Sequence, residues 1–101
     1  MGWASHYIER LRKGETVQFR PRGGSMAGKV ESGQLVTVEP VNEATQLQLG
    51  DIVLCKVAGA EYLHLVKALR LHDVQIGNNK GGINGWTPRT KVYGVLTKVE
   101  P

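Results

Sequence analysis

The stretch Glu61-Tyr62-Leu63-His64-Leu65-Val66-Lys67-Ala68-Leu69-Arg70-Leu71 decides how this chain is read. Successive strand residues point to opposite faces. Leu63, Leu65, Lys67, Leu69 and Leu71 therefore share one side, with Tyr62, His64, Val66, Ala68 and Arg70 on the other. An ammonium among four leucines loses hydration, which favours its neutral form and makes Lys67 a candidate general base. The plain alternative is a lysine that snorkels to water or sits at an edge or a bulge. Upstream, Arg22-Gly23-Gly24-Ser25-Met26 offers the matching half of a dyad, a serine in a glycine-rich turn with an exposed hydroxyl and an amide free to be aimed. A Gly-Gly-Ser sequence is otherwise simply a turn.

Working outward, residues 3–13 carry Trp3, Tyr7 and Leu11 four apart with Ala4 and Ile8 on a neighbouring row, which predicts a short amphipathic helix ended by Gly14. Its apolar stripe packs on the domain or, in a weaker reading, dips into a membrane interface beneath Arg10, Arg12 and Lys13. Beyond Gly14 the stretches 16–20, 35–41, 52–57, 62–71, 74–76 and 91–99 read as strands, giving a mainly β domain of about six strands. Ala58-Gly59-Ala60 predicts a hairpin between the third and fourth. Residues 77–89, rich in glycine and asparagine, read as a long functional loop.

The 101 residues make one domain, and 41% hydrophobic with 22% charged residues is ordinary for a globular protein. A single cysteine, Cys55, excludes an internal disulfide and fits a reducing cytoplasm. No apolar run approaches the roughly 20 residues of a membrane helix, and no signal-peptide core is evident. A net charge of +4 comes from scattered residues, so nucleic-acid binding rests on charge alone, through Arg20, Arg22, Lys29 and Arg89.

His6, His64 and His72 lack zinc-motif spacing, so neither a metal nor another cofactor is expected. Cys55 sits on an alternating face with Val53 and Val57 and reads as a buried core thiol rather than a nucleophile. Neither a P-loop nor a dinucleotide fingerprint is present. Glu31, Glu39, Glu43 and Glu61 read as surface carboxylates. His64 lies on the face opposite Lys67, and nothing in the sequence ties His6 or His72 to Ser25. Serine with lysine remains.

The ordered set Gly24-Ser25-Met26, Ser32-Gly33-Gln34-Leu35-Val36-Thr37-Val38, Leu49-Gly50-Asp51-Ile52-Val53-Leu54, Leu65-Val66-Lys67, Ile76-Gly77-Asn78-Asn79 and Tyr93-Gly94-Val95-Leu96 resembles the peptidase domain shared by bacterial signal peptidases and LexA-type self-cleaving repressors. The resemblance covers residues 22–99, with residues 1–14 as the helix ahead of it. It implies that β fold, Ser25 as nucleophile, Lys67 as general base, the Ser25 N–H as an oxyanion donor and Met26 beside the scissile bond. It also implies a protein or peptide substrate bound as an extended strand. The chain departs from signal peptidases at Ala27-Gly28-Lys29, where a proline is usual, and at Ala68, where a basic residue is usual. Neither a membrane anchor nor a DNA-binding domain of the repressor kind is expected within these 101 residues. The expectation is a small serine-lysine peptidase making a limited cut in a partner or in itself. The alternatives are a non-catalytic regulatory or dimerisation module, with a strand edge available for a homodimer, and a basic nucleic-acid-binding β-barrel.

Overall fold

Short apolar runs separated by glycine turns fold back on one another, and the computed structural model, which describes residues 2–101, joins them in one antiparallel sheet of seven strands. Helix α1 (Ser5–Arg12) precedes β1 (Val17–Phe19), β2 (Leu35–Pro40), β3 (Ile52–Val57), β4 (Ala60–Leu69), β5 (Asp73–Gly77), β6 (Ile83–Pro88) and β7 (Val92–Glu100). The strand order β1-β2-β7-β3-β4-β5-β6 leaves β1 and β6 at the ends. The mainly β architecture with one short N-terminal helix agrees with the sequence. The expected count of about six strands is corrected to seven, because β6 lies inside the stretch read as a loop.

β6 escapes a reading based on apolar alternation because Thr87 is its only fully buried side chain. Its backbone ladder to β5, running from Asp73↔Pro88 to Gly77↔Ile83, defines it instead. The hairpin between β3 and β4 forms as expected: Ala58 and Gly59 take φ of 50° and 84°, and positive φ at both central residues matches the right-handed twist of the flanking strands.

Alternation along β3 and β4 feeds two apolar clusters. Ile52, Leu54, Leu63 and Leu65 join Val36, Val38, the helix residues Ile8 and Leu11, and Ala4 just ahead of the helix in the first. Val53, Cys55, Val57 and Val66 join Val74, Ile76 and Val92 in the second. The helix therefore spends its apolar stripe on the sheet, and the membrane-interface reading is corrected: Ile8 and Leu11 are buried against the domain. Among the described residues no helix is long and apolar enough to cross a membrane.

Glu61 is corrected from a surface carboxylate to a buried one. Its Oε1 accepts from the Ala4 N–H at 2.6 Å and its Oε2 from the Ser5 hydroxyl at 2.6 Å, while its carbonyl accepts from the Trp3 indole at 3.1 Å. A carboxylate at the start of α1 satisfies amides that have no partner within the helix and complements the helix dipole. Through it the helix is fastened to β4.

Cys55 is fully buried, and desolvation pushes its thiol up from 9.0 to about 12. The thiolate is the reactive form, so Cys55 resists iodoacetamide at pH 8 in the folded protein and reacts once urea unfolds it, as intact mass will read. With a folded pKa above the unfolded one, its contribution to stability is present below pH 9.0 and is lost as pH rises towards about 12. Urea midpoints of the parent should fall more steeply across that window than those of Cys55→Ala.

Candidate functional site

The segment from Gly23 to Val30 is a compact turn anchored from below. Met26 and Val30 are buried in the first cluster, so Ser25, one residue before Met26, is left exposed. Inside the turn the Ala27 N–H donates to the Gly24 carbonyl at 3.1 Å and the Val30 N–H to the Met26 carbonyl at 2.8 Å. At its margin the Gly28 N–H donates to Glu31 Oε2 at 2.6 Å. Among the described residues the backbone N–H groups of Ser25 and Met26 have no acceptor.

Ser25 Oγ lies 3.0 Å from Nε2 of His64, and Nδ1 of the same ring lies 2.7 Å from Oδ1 of Asn84. An amide oxygen only accepts, so Nδ1 carries a proton, and in the neutral tautomer this fixes, the Nε2 lone pair faces the Ser25 hydroxyl. His64 is 8% exposed, and its ring packs against Tyr62 with centroids 4.9 Å apart. A hydroxyl, an imidazole and an orienting oxygen in hydrogen-bonded series are the parts of a nucleophile, its base and the group that sets the base's tautomer.

Asn84 reaches the ring because β6 is irregular there. Ile76 pairs with Gly85 and Gly77 with Ile83, so Asn84 is an extra residue without a partner. A bulge bends its strand and turns a side chain away from strict alternation. Gly85, with φ 134°, accommodates the bend.

A second bulge accounts for Lys67. Val66 pairs with Ile76 and Ala68 with Gln75, so Lys67 is the residue left over in β4. Alternation stops at this point, and the environment of four leucines does not form: Leu63 and Leu65 are buried, but Leu69 is 42% and Leu71 89% exposed. The aliphatic chain of Lys67 lies against Gly77, and among the described residues it makes no ion pair and no side-chain hydrogen bond to Ser25. The structure thus brings Ser25 together with His64 and Asn84, and it puts Met26 in the wall of the adjoining cleft.

That cleft, about 660 Å³, opens beside Ser25 and His64 and is walled mainly by Trp3, Tyr7, Phe19, Met26, Tyr62 and Leu63. The Phe19 ring stacks on Tyr7 with centroids 4.4 Å apart and meets Trp3 edge-on at 5.7 Å, which makes one side of the cleft an aromatic surface. Arg20 and Arg22 stand at its rim, whereas Arg89 belongs to a separate groove, donating from Nη2 to the carbonyls of Asn42 at 3.2 Å and Thr45 at 3.1 Å. Partial burial lowers the Arg89 guanidinium from its ordinary value. The four cations considered for nucleic acid therefore do not line one groove. Among the described residues no three His, Cys, Asp or Glu side chains group as metal ligands.

No protein-family model and no curated protein sequence matches this chain.

At the end of β5 the backbone leaves no room for a side chain. A Cβ on Gly77 would come within 2.5 Å of the Gly82 carbonyl oxygen and 3.0 Å of Lys67 Cγ and Cε. That same carbonyl accepts from the Asn78 N–H at 2.9 Å, so Gly77→Ala forces the β5–β6 loop apart. Overpacking of this kind costs about 1–3 kcal/mol, and a urea titration should register the loss with an unchanged slope.

Proposed function

We propose that the protein is a serine peptidase that makes a limited cut in a partner protein or in itself, with Ser25 as nucleophile, His64 as general base and Asn84 as the group that orients the imidazole. The observation that carries this reading is the hydrogen-bonded series from Ser25 Oγ through His64 to Asn84, at 3.0 and 2.7 Å.

As Ser25 Oγ attacks a peptide carbonyl, its proton passes to His64 Nε2, and the carbonyl π pair moves onto oxygen to give a tetrahedral oxyanion. The free N–H groups of Ser25 and Met26 are the donors available to that oxyanion. Collapse of the intermediate breaks the C–N bond while the imidazolium returns the proton to the leaving amine, and an ester on Ser25 remains. Water, deprotonated by the same nitrogen, hydrolyses the ester and restores the hydroxyl. Side chains beside the cut enter the aromatic-walled cleft.

The ordered likeness to signal peptidases and LexA-type repressors favours a peptide over other acyl substrates and is compatible with the antiparallel sheet. The reading departs from that pattern at the base. The likeness implies Lys67, but the nitrogen at hydrogen-bond distance from the nucleophile belongs to His64.

A fluorophosphonate probe followed by intact-mass analysis separates these assignments. The parent should be labelled once, on Ser25. Ser25→Ala abolishes labelling, His64→Ala lowers the rate about 10²–10⁴-fold, and Lys67→Met leaves it near the parent's. Loss of labelling in Lys67→Met with retention in His64→Ala would return the base to Lys67. A parent that never labels would sink the peptidase reading in favour of a binding module.

A further inference from the structure

The β5–β6 hairpin touches the site twice. Asn84 holds His64, and Asn79, at the start of the same hairpin's loop, holds the serine turn: its backbone N–H donates to the Ser25 carbonyl at 2.9 Å and its Nδ2 to the Ala27 carbonyl at 2.8 Å. Both Asn79 bonds leave the hairpin. The loop itself is closed by Asn78, whose Oδ1 accepts from the Lys80 N–H at 2.8 Å and the Gly82 N–H at 2.9 Å. Gly28, with φ 94°, leaves space for the amide: a Cβ there would lie 3.1 Å from Asn79 Nδ2.

We infer that Asn79 is a positioning residue that fixes the serine turn in register with His64, so that a single hairpin sets both ends of the Ser25–His64 hydrogen bond. The inference rests on the serine–histidine reading. Physical need supports it, because Ser25 is exposed and its turn contains Gly23, Gly24 and Gly28, residues that restrain a backbone little. The turn's internal bonds shape it but do not tie it to β4 or β6. Asn79 bridges the turn and the hairpin, and Asn84 bridges the hairpin and the imidazole. A nucleophile misplaced by about 1 Å can cost on the order of a hundredfold in rate, so a tie of this kind is worth more to chemistry than to folding.

The test compares Asn79→Ala and Asn79→Asp with the parent in fluorophosphonate acylation, resolved into the rate at saturating probe and the half-saturating concentration. Aspartate keeps the shape of the side chain but, ionised, only accepts, and so cannot donate to the Ala27 carbonyl. Both variants should acylate about ten- to a hundredfold more slowly at saturation, with a half-saturating concentration within about twofold of the parent's. Urea midpoints are measured alongside. Parent-like rates in both variants, or a loss carried wholly by the half-saturating concentration or by unfolding, would overturn the inference. Hydrogen exchange at the Ala27, Lys29 and Val30 amides gives a readout without chemistry: it should quicken in both variants, and unchanged exchange overturns the tie. A parent that takes no label, with exchange quickened in the variants, defeats the serine–histidine reading while the hold of Asn79 on the turn stands.

Discussion

Burial of β3 and β4 on both faces is the constraint from which the site follows. Ile52, Leu54, Leu63 and Leu65 fill one cluster while Val53, Cys55 and Val66, from the same two strands, fill the other. A slip of one residue would exchange the faces of a whole strand and set Lys56 and Glu61 against apolar partners. Each large apolar side chain withdrawn from a core costs about 2–5 kcal/mol, and a folded domain has only about 5–15 kcal/mol in total, so no shifted register competes. His64 inherits this rigidity. It pairs with Val53 in the middle of the doubly buried ladder, which gives a titratable ring a fixed address without any polar residue having to specify it.

Two places where the ladder breaks then shape the candidate site. Asn84 in β6 and Lys67 in β4 are both unpaired extra residues, and β5 is the partner strand at each. At Asn84 the break turns an amide onto His64. At Lys67 it ends the leucine face, and the strand beyond runs out to solvent at Leu69 and Leu71. Regular alternation builds the two clusters, and departures from it build the site, as expected where local rules yield to function.

This division explains what could be read from the sequence. Strands whose side chains alternate between core and solvent announce themselves, as do the Ala58-Gly59 turn, the helix with its terminal Gly14, and the buried Cys55. β6 does not, because Ile83-Asn84-Gly85-Trp86-Thr87-Pro88 is held by backbone pairing at an edge and buries little. Ser25 was legible from its glycine turn. Parity sets His64 aside, because along a regular strand it faces away from Lys67, but parity shows only that the two cannot share a face. It does not say which of them meets Ser25, since that depends on a turn far away in the chain. The usable signal was an imidazole within an apolar strand, where a polar ring needs partners for both nitrogens. Asn84 left no such trace, because a bulge is a property of two strands and neither strand alone encodes it.

The choice of asparagine at the end of the series has its own consequence. An amide oxygen fixes the imidazole tautomer as well as a carboxylate does, and it introduces no buried charge that would need compensation when His64 is neutral. What it would not supply, in the proposed mechanism, is a full negative charge to steady an imidazolium formed when the ring takes the serine proton. The geometry is therefore complete in the resting state, while the charge-separated state relies on the dipole of Asn84 and on whatever water the site admits. In the proposed acylation the burden of rate therefore falls on how accurately Ser25 and His64 are held together. That accuracy is what a shared hairpin, gripping the serine turn at one point and the imidazole at another, is built to provide.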